Sequence, residues 1–300
     1  MYESWFDLKE KPFSLTPDPE FLFLSVSHQQ ALDHLLYGLE SGEGFIVVTG
    51  DIGVGKTTVC RTLLSRLSDR FATSLIVNPL LTEKELVRAI LEDFGGHAPP
   101  GTKKDILDAL NRYLLAEASR GRRPVLIVDE AQNLPPTLLE QVRLLSNLET
   151  EKRKLLQIVL IGQNELKEKL SLTSLRQLNQ RVTVRAEIRP LSGKETARYI
   201  GHRLGIAGGG GRDLISPGAE KAIYRRSGGV PRLINMLCDR AFLSAYLRGS
   251  ARVEPKDVRR ATESLADRGG GARRVLRWIP WVATPLVILG GLLAAYGRIF

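Results

Sequence analysis

Residues 45–58 read FIVVTGDIGVGKTT, an apolar run, a glycine-rich turn and then the start of an amphipathic segment. No other stretch constrains the chain as much. The turn meets the spacing G-x-x-x-x-G-K-[ST] through Gly50, Gly55, Lys56 and Thr57, with Gly53 as a further glycine between them. Glycines let successive backbone N–H groups turn inward around an anion, and a helix opening at Lys56 adds unpaired N–H groups and a positive dipole end. Such a strand, turn and helix form a phosphate cradle. Gly50, Asp51, Ile52, Gly53, Val54, Gly55, Lys56, Thr57 and Thr58 are its wall; Lys56 is expected to reach the β- and γ-phosphates and the Thr57 hydroxyl to ligate Mg²⁺. The competing reading, a chance glycine turn, leaves the strand before it and the helix after it without a reason.

A second run, PVLIVDEAQN at 124–133, is apolar until it ends in two carboxylates. A continuous Val/Leu/Ile run implies a strand buried on both faces, as in the middle of a parallel sheet, and ligands of such sheets lie at the carboxyl ends of the strands. Asp129 is therefore a candidate to hold Mg²⁺, directly or through water, and Glu130 to polarise the water that attacks a γ-phosphate. Capping of the next helix by this acidic pair is the alternative. The run LLQIVLIG at 155–162 predicts another buried strand, tipped by Gln163 and Asn164. Gln163 is open to two readings: contact with the γ-phosphate or its water, or an ordinary strand-to-helix cap.

Between and beyond these runs, periodicity and punctuation divide the chain. Residues 1–27 form an aromatic and proline-rich arm expected to pack on the body. Residues 28–190 form a parallel α/β nucleotide-binding domain, with helices at 28–40, 56–67, 83–94 (N-cap Thr82), 104–119 and 138–150 and strands at 73–78 and 182–188. Residues 191–266 form a helical lid with helices at 192–204, 216–226, 231–247 and 255–265. In the lid, GGVPR at 228–232 sets Arg232 in the first turn of a helix. A guanidinium is badly matched to that dipole end, so an anion is expected beside it; a surface salt bridge is the alternative.

The net charge of +10 and pI near 9.7 raise the question of an acidic partner. The densest basic cluster, Arg268, Arg273, Arg274 and Arg277 in a Gly/Arg linker at 267–277, precedes a charge-free run at 278–296. That run approaches the ~20 apolar residues that cross a bilayer, and Trp278, Trp281 and Tyr296 stand at its ends. One transmembrane helix is expected there, with the arginines and the body on the cytoplasmic side, which accounts for the basic cluster without nucleic acid. A buried terminal helix competes, but Pro280 and Pro285 suit a membrane better than a soluble helix. Cys60 and Cys238 both fall in apolar helical patterns, so buried reduced thiols are expected rather than a disulfide or metal site.

Taken in this order, the parts resemble an AAA+ ATPase. More closely, FDLKEKPFSLTPDPEFLFLSVSH, ALDHLLYGLESGEGFIVVTGDIGVGKTTVCR, VLIVDEAQNL, LLQIVLIGQNEL, LRQLNQRV and SGGVPRLINMLCDRA resemble the general secretion pathway protein A family over residues 1–265. These are membrane-anchored ATPases of type II secretion, and ATPases of exosortase and polysaccharide-export loci look similar. The resemblance implies an AAA+ P-loop α/β domain with a C-terminal α-helical lid, binding ATP and Mg²⁺ and hydrolysing ATP. It implies a homo-oligomeric ring, a hexamer among the candidate sizes, and an envelope secretion or export partner at the bacterial inner membrane, with no nucleic acid expected. By residue, it gives Gln163 the sensor position and Arg232 the lid arginine on the γ-phosphate. Arg181, with Arg176 second, would be the finger completing a neighbour's site, and Asn78 would hold Glu130 inactive until a partner binds. Two departures stand out: Asn164 replaces the family's usual proline, and the chain ends where the family continues into a periplasmic peptidoglycan-binding region. A DNA-associated AAA+ regulator and a nucleotide-switched scaffold with little turnover are the rival readings.

Overall fold

The structure, a computed structural model, describes residues 1–16, 18–77, 81–149, 154–210 and 213–269. The apolar runs become five parallel strands: β1 (Phe45–Gly50), β2 (Phe71–Ile76), β3 (Arg123–Val128), β4 (Gln157–Gly162) and β5 (Val182–Ile188). They pair in the order β2-β3-β4-β1-β5, which sets the tip of β1 beside that of β4 and the tip of β3 on β4's other side. Thr49 pairs with Gly162 and Val128 with Leu160 in this register.

Strand side chains alternate between faces, so each central strand feeds two cores. Phe45, Val47, Leu126, Val128, Ile158 and Leu160 pack against α4 (Glu83–Asp93), α5 (Lys103–Ser119) and α6 (Pro136–Leu145), as do the short helices α7 (Glu165–Ser171) and α8 (Arg176–Arg181). Ile46, Val48, Val125, Ile127, Val159 and Ile161 pack on the other side against α2 (Val26–Glu40) and α3 (Lys56–Arg66). The edge strand β5 alternates in exposure, with Thr183, Arg185 and Glu187 outward; charges on an edge discourage pairing with another chain.

Helix starts are written locally. Thr82 with Glu85, Thr102 with Asp105 and Ser192 with Glu195 form reciprocal capping boxes for α4, α5 and α9 (Gly193–Leu204). Proline opens α6, α10 (Pro217–Ser227) and α11 (Pro231–Leu247), where its missing N–H costs nothing. α12 (Pro255–Gly269) runs into the stretch expected to be linker, so 267–269 are helical rather than irregular.

The arm packs on the helical half of the body: its residues Tyr2, Phe6, Leu8, Phe13 and Phe21 complete the core formed by α9 to α12, and the first helix, α1 (Tyr2–Trp5), lies on α11. Phe242 is the hub, with ring centroids of Tyr2, Phe6 and Phe13 at 5.7, 4.9 and 5.7 Å. The Tyr2 hydroxyl donates to Asp239 at 2.8 Å, and the Lys9 N–H to the Ala207 carbonyl at 2.8 Å. Four helices alone leave an apolar hollow, and the aromatic side chains of the arm fill it. Among the described residues no helix is long and apolar enough to cross a membrane; the expected span at 278–296 lies outside them. Cys60 and Cys238 are free and buried, and burial pushes the Cys60 thiol up to about 12 and the Cys238 thiol higher still.

Candidate nucleotide site

At the tip of β1 the chain turns through Gly53 and Gly55, at φ 80° and 106°, a left-handed backbone that glycine adopts without strain. A side chain at Gly55 would also strike His28, whose Nε2 lies 2.7 Å from the position of a Cβ. α3 then begins at Lys56 with no side-chain cap, leaving first-turn N–H groups for an anion. Lys56 is 6% exposed, and its Nζ donates to the carbonyls of Gly50 and Asp51, both at 3.0 Å. Burial lowers its pKa, while the carboxylates of Glu130, Asp129 and Asp51 pull it back up.

Thr57 and Asp129, far apart in sequence, meet here: the Thr57 hydroxyl donates to Asp129 Oδ2 at 3.1 Å. Burial raises the Asp129 pKa; the Glu130 N–H and the Thr57 hydroxyl oppose this. A hydroxyl beside a carboxylate at the mouth of a phosphate loop is an all-oxygen donor set that fits Mg²⁺. Glu130 follows at φ 52°, a left-handed conformation costly for a residue with a Cβ. Its Oε2 accepts from Gln132 Nε2 at 2.6 Å and from Gln163 Nε2 at 3.2 Å.

A cavity of about 610 Å³ opens over this floor, a volume in the range of small-molecule sites. Gly53, Gly55, Lys56, Thr57, Thr58, Glu130 and Gln163 line one side, and Arg232 reaches it from the lid. The Arg232 backbone N–H donates to the Gly53 carbonyl at 3.3 Å, so the start of α11 sits directly on the loop. Arg232 is exposed and has no carboxylate partner among the described residues, which leaves the salt-bridge alternative without support. The far side is aromatic and basic: Phe21 and Tyr199 flank Arg203, whose guanidinium carbon lies 4.7 Å from the Phe21 ring centroid and 5.7 Å from that of Tyr199.

The remaining expected residues divide. Asp51 and Asn164 are joined, Asn164 Nδ2 donating to Asp51 Oδ1 at 2.5 Å, so the departure from proline links the β4 tip to the phosphate loop. Arg181 does not project freely: Nη1 donates to Ser146 Oγ and Asn147 Oδ1, each at 2.6 Å. Arg176 is exposed, and its guanidinium has no hydrogen-bond partner among the described residues. Asn78 lies outside the described residues, and the donors found on Glu130 are Gln132 and Gln163.

Four site residues were not singled out in the sequence: His28, Gln132, Tyr199 and Arg203. The Ser25 N–H donates to His28 Nδ1 at 3.1 Å, which fixes the neutral tautomer with Nε2–H donating to the Val54 carbonyl at 2.8 Å. Burial lowers the His28 pKa. The Ser25-x-x-His28 capping spacing and the carboxamide two residues after Glu130 were the available signals; Tyr199 and Arg203 read only as one face of a lid helix.

An AAA domain family matches residues 39–170. General secretion pathway protein A of Aeromonas hydrophila is 43% identical over 298 residues, 99% of this chain, and the chain spans 53% of that relative's length. Among solved structures, the ORC2 protein of Aeropyrum pernix, in ADPNP-ADP complexes, aligns with a TM-score of 0.60 at 16% identity over 85% of this chain and 71% of that one. Drosophila ORC bound to DNA gives 0.61 at 21% identity (83% and 63%), and the RuvB Holliday junction branch migration motor of Thermotoga maritima 0.54 at 19% (82% and 73%). At those identities the likeness is one of fold. The matched domain and the parallel five-stranded core converge: the chain carries an AAA+ α/β domain and over nearly all of its length is similar to general secretion pathway protein A.

Proposed function

We propose that the protein is a membrane-anchored ATPase whose hydrolysis of ATP to ADP and phosphate powers or regulates assembly of an envelope secretion complex. The observation that carries the hydrolase reading is the convergence of Lys56, Thr57, Asp129, Glu130 and Gln163 at three neighbouring strand tips, with Arg232 closing the same cavity from the lid. Lys56 exchanges the Gly50 and Asp51 carbonyls for phosphate oxygens, and the first-turn N–H groups of α3 take the rest of the anion. Thr57 and Asp129 would hold Mg²⁺, which when bound would supply charge neutralisation on the phosphates. Glu130 orients water for attack on the γ-phosphorus and takes its proton as the bond to the β–γ bridging oxygen breaks.

A neighbouring subunit completes the charge balance in this reading. Arg176 suits the finger better than Arg181, because its guanidinium is exposed and unengaged while that of Arg181 is held by Ser146 and Asn147. The inner-membrane location and cytoplasmic body rest on the 268–296 sequence, and the secretion partner on kinship with the Aeromonas protein. The decisive experiment uses full-length protein in lipid vesicles. Glu130→Gln retains ATP binding and loses phosphate release by a factor of about 10² or more, whereas Lys56→Ala loses binding itself. Wild-type phosphate release from Glu130→Gln refutes the role given to Glu130.

A further inference from the structure

Gln132 is 8% exposed, in the short turn Ala131–Asn133 just past the β3 tip. It spans the gap to the β4 tip. Its Nε2 donates to Glu130 Oε2 at 2.6 Å and its Oε1 accepts the Gln163 backbone N–H at 3.0 Å. The Gln163 side chain closes the figure by donating to the same Glu130 oxygen at 3.2 Å, so three residues form a ring of hydrogen bonds. The ring is fitted closely. A Cβ at Gly162 would lie 3.0 Å from Gln132 Oε1 and 3.2 Å from its backbone nitrogen, and the Gln132 carbonyl is itself held by Lys169 Nζ at 2.5 Å.

Two N–H donors on Oε2 fix the side-chain torsions of Glu130, whose backbone is already set by its left-handed turn. Oε1 has no donor among the described residues and is the oxygen left to take a proton in the cavity that Glu130 lines. We propose that Gln132 is a positioning residue for hydrolysis: it aims the Glu130 carboxylate and ties that aim to Gln163, so that displacement of the β4 tip by a γ-phosphate or its loss reaches the base directly. This rests on the reading of Glu130 as the water-polarising group. A purely structural link between two strand tips would stabilise the fold without acting through Glu130.

The test compares full-length parent, Gln132→Met, Glu130→Gln and the double variant in lipid vesicles. Readouts are binding of a fluorescent ATP analogue, steady-state phosphate release, and amide hydrogen exchange of the peptide spanning Gln163. Methionine keeps the length and removes both hydrogen bonds. The expected result is analogue affinity and KM within about twofold of the parent, kcat lower by about tenfold or more, faster exchange at Gln163, and a double variant no slower than Glu130→Gln alone. An unchanged kcat, or an equal further loss on the Glu130→Gln background, overturns the proposal. Should Gln132→Met fail to bind the analogue, Gln163→Met cuts the ring from a half-buried tip and must show the same kcat loss at constant KM; parental kcat there overturns it too. A parent that binds the analogue and releases no phosphate removes the hydrolase reading itself, a failure visible before any substitution is made.

Discussion

At the scale of single residues, the site is a set of polar groups that burial has forced into pairs. Asp129 finds Thr57, Lys56 finds two carbonyls, Glu130 finds two carboxamides, and His28 is wedged between Ser25 and the loop carbonyl of Val54. His28 makes a pH prediction. Burial holds its folded-state pKa below the ordinary 6.5, so the unfolded chain binds the proton first. Its stabilising contribution is full above about pH 6.5 and is lost as pH falls from there through the depressed folded value. The melting temperature of the parent should therefore drop between pH 7 and pH 5 relative to that of His28→Gln, the comparison cancelling carboxylates common to both. Parallel curves for the two proteins would show that His28 does not titrate against folding.

At the scale of elements, the joint between the two halves is built from glycine. Gly229 sits at φ 78°, its carbonyl accepts the Leu191 N–H at 2.8 Å, and a Cβ there would come within 1.9 Å of the Leu191 carbonyl oxygen. Gly228, at φ 59°, has open space around it. Gly229→Ala should cost about 2–4 kcal/mol and weaken nucleotide binding, because α11 and Arg232 shift off Gly53. Gly228→Ala should cost only about 1–2 kcal/mol, the penalty of the left-handed backbone alone. Thermal unfolding and nucleotide titration of the two variants check this; equal losses would mean that the contact with Leu191 is not tight. The ends of elements follow a similar division. β5 and α11 fall where alternation and punctuation put them, at 182–188 and 231–247, whereas α6 stops at Leu145, earlier than the pattern to 150 suggests. The short α7 carries too few turns for its periodicity to show.

At the scale of the whole molecule, the lid core is not made by the lid sequence alone. Phe13, 2% exposed, packs on Phe242 across more than two hundred residues of chain. Phe13→Ala should destabilise the protein by about 3–5 kcal/mol, read as a lower denaturant midpoint, although no residue of the α/β half is touched. A loss under 1 kcal/mol would show the arm to be dispensable to the lid. Because the arm also supplies Phe21 to the cavity, the same change should weaken nucleotide binding.

The sequence by itself determined the phosphate loop, the acidic strand end and the parallel α/β class, because each depends on local chemistry: glycine conformations, helix caps and uninterrupted apolar runs. It determined neither the partners of Glu130 nor the place of the arm. Gln132 and Gln163 are thirty-one residues apart and become neighbours only when β3 and β4 pair in register. An aromatic arm without periodicity is equally apolar whichever core it fills, and tertiary packing gave it to the lid. Local patterns specify what a segment is; long-range closure decides what it touches, and in this protein the tuning of the site lies in those contacts.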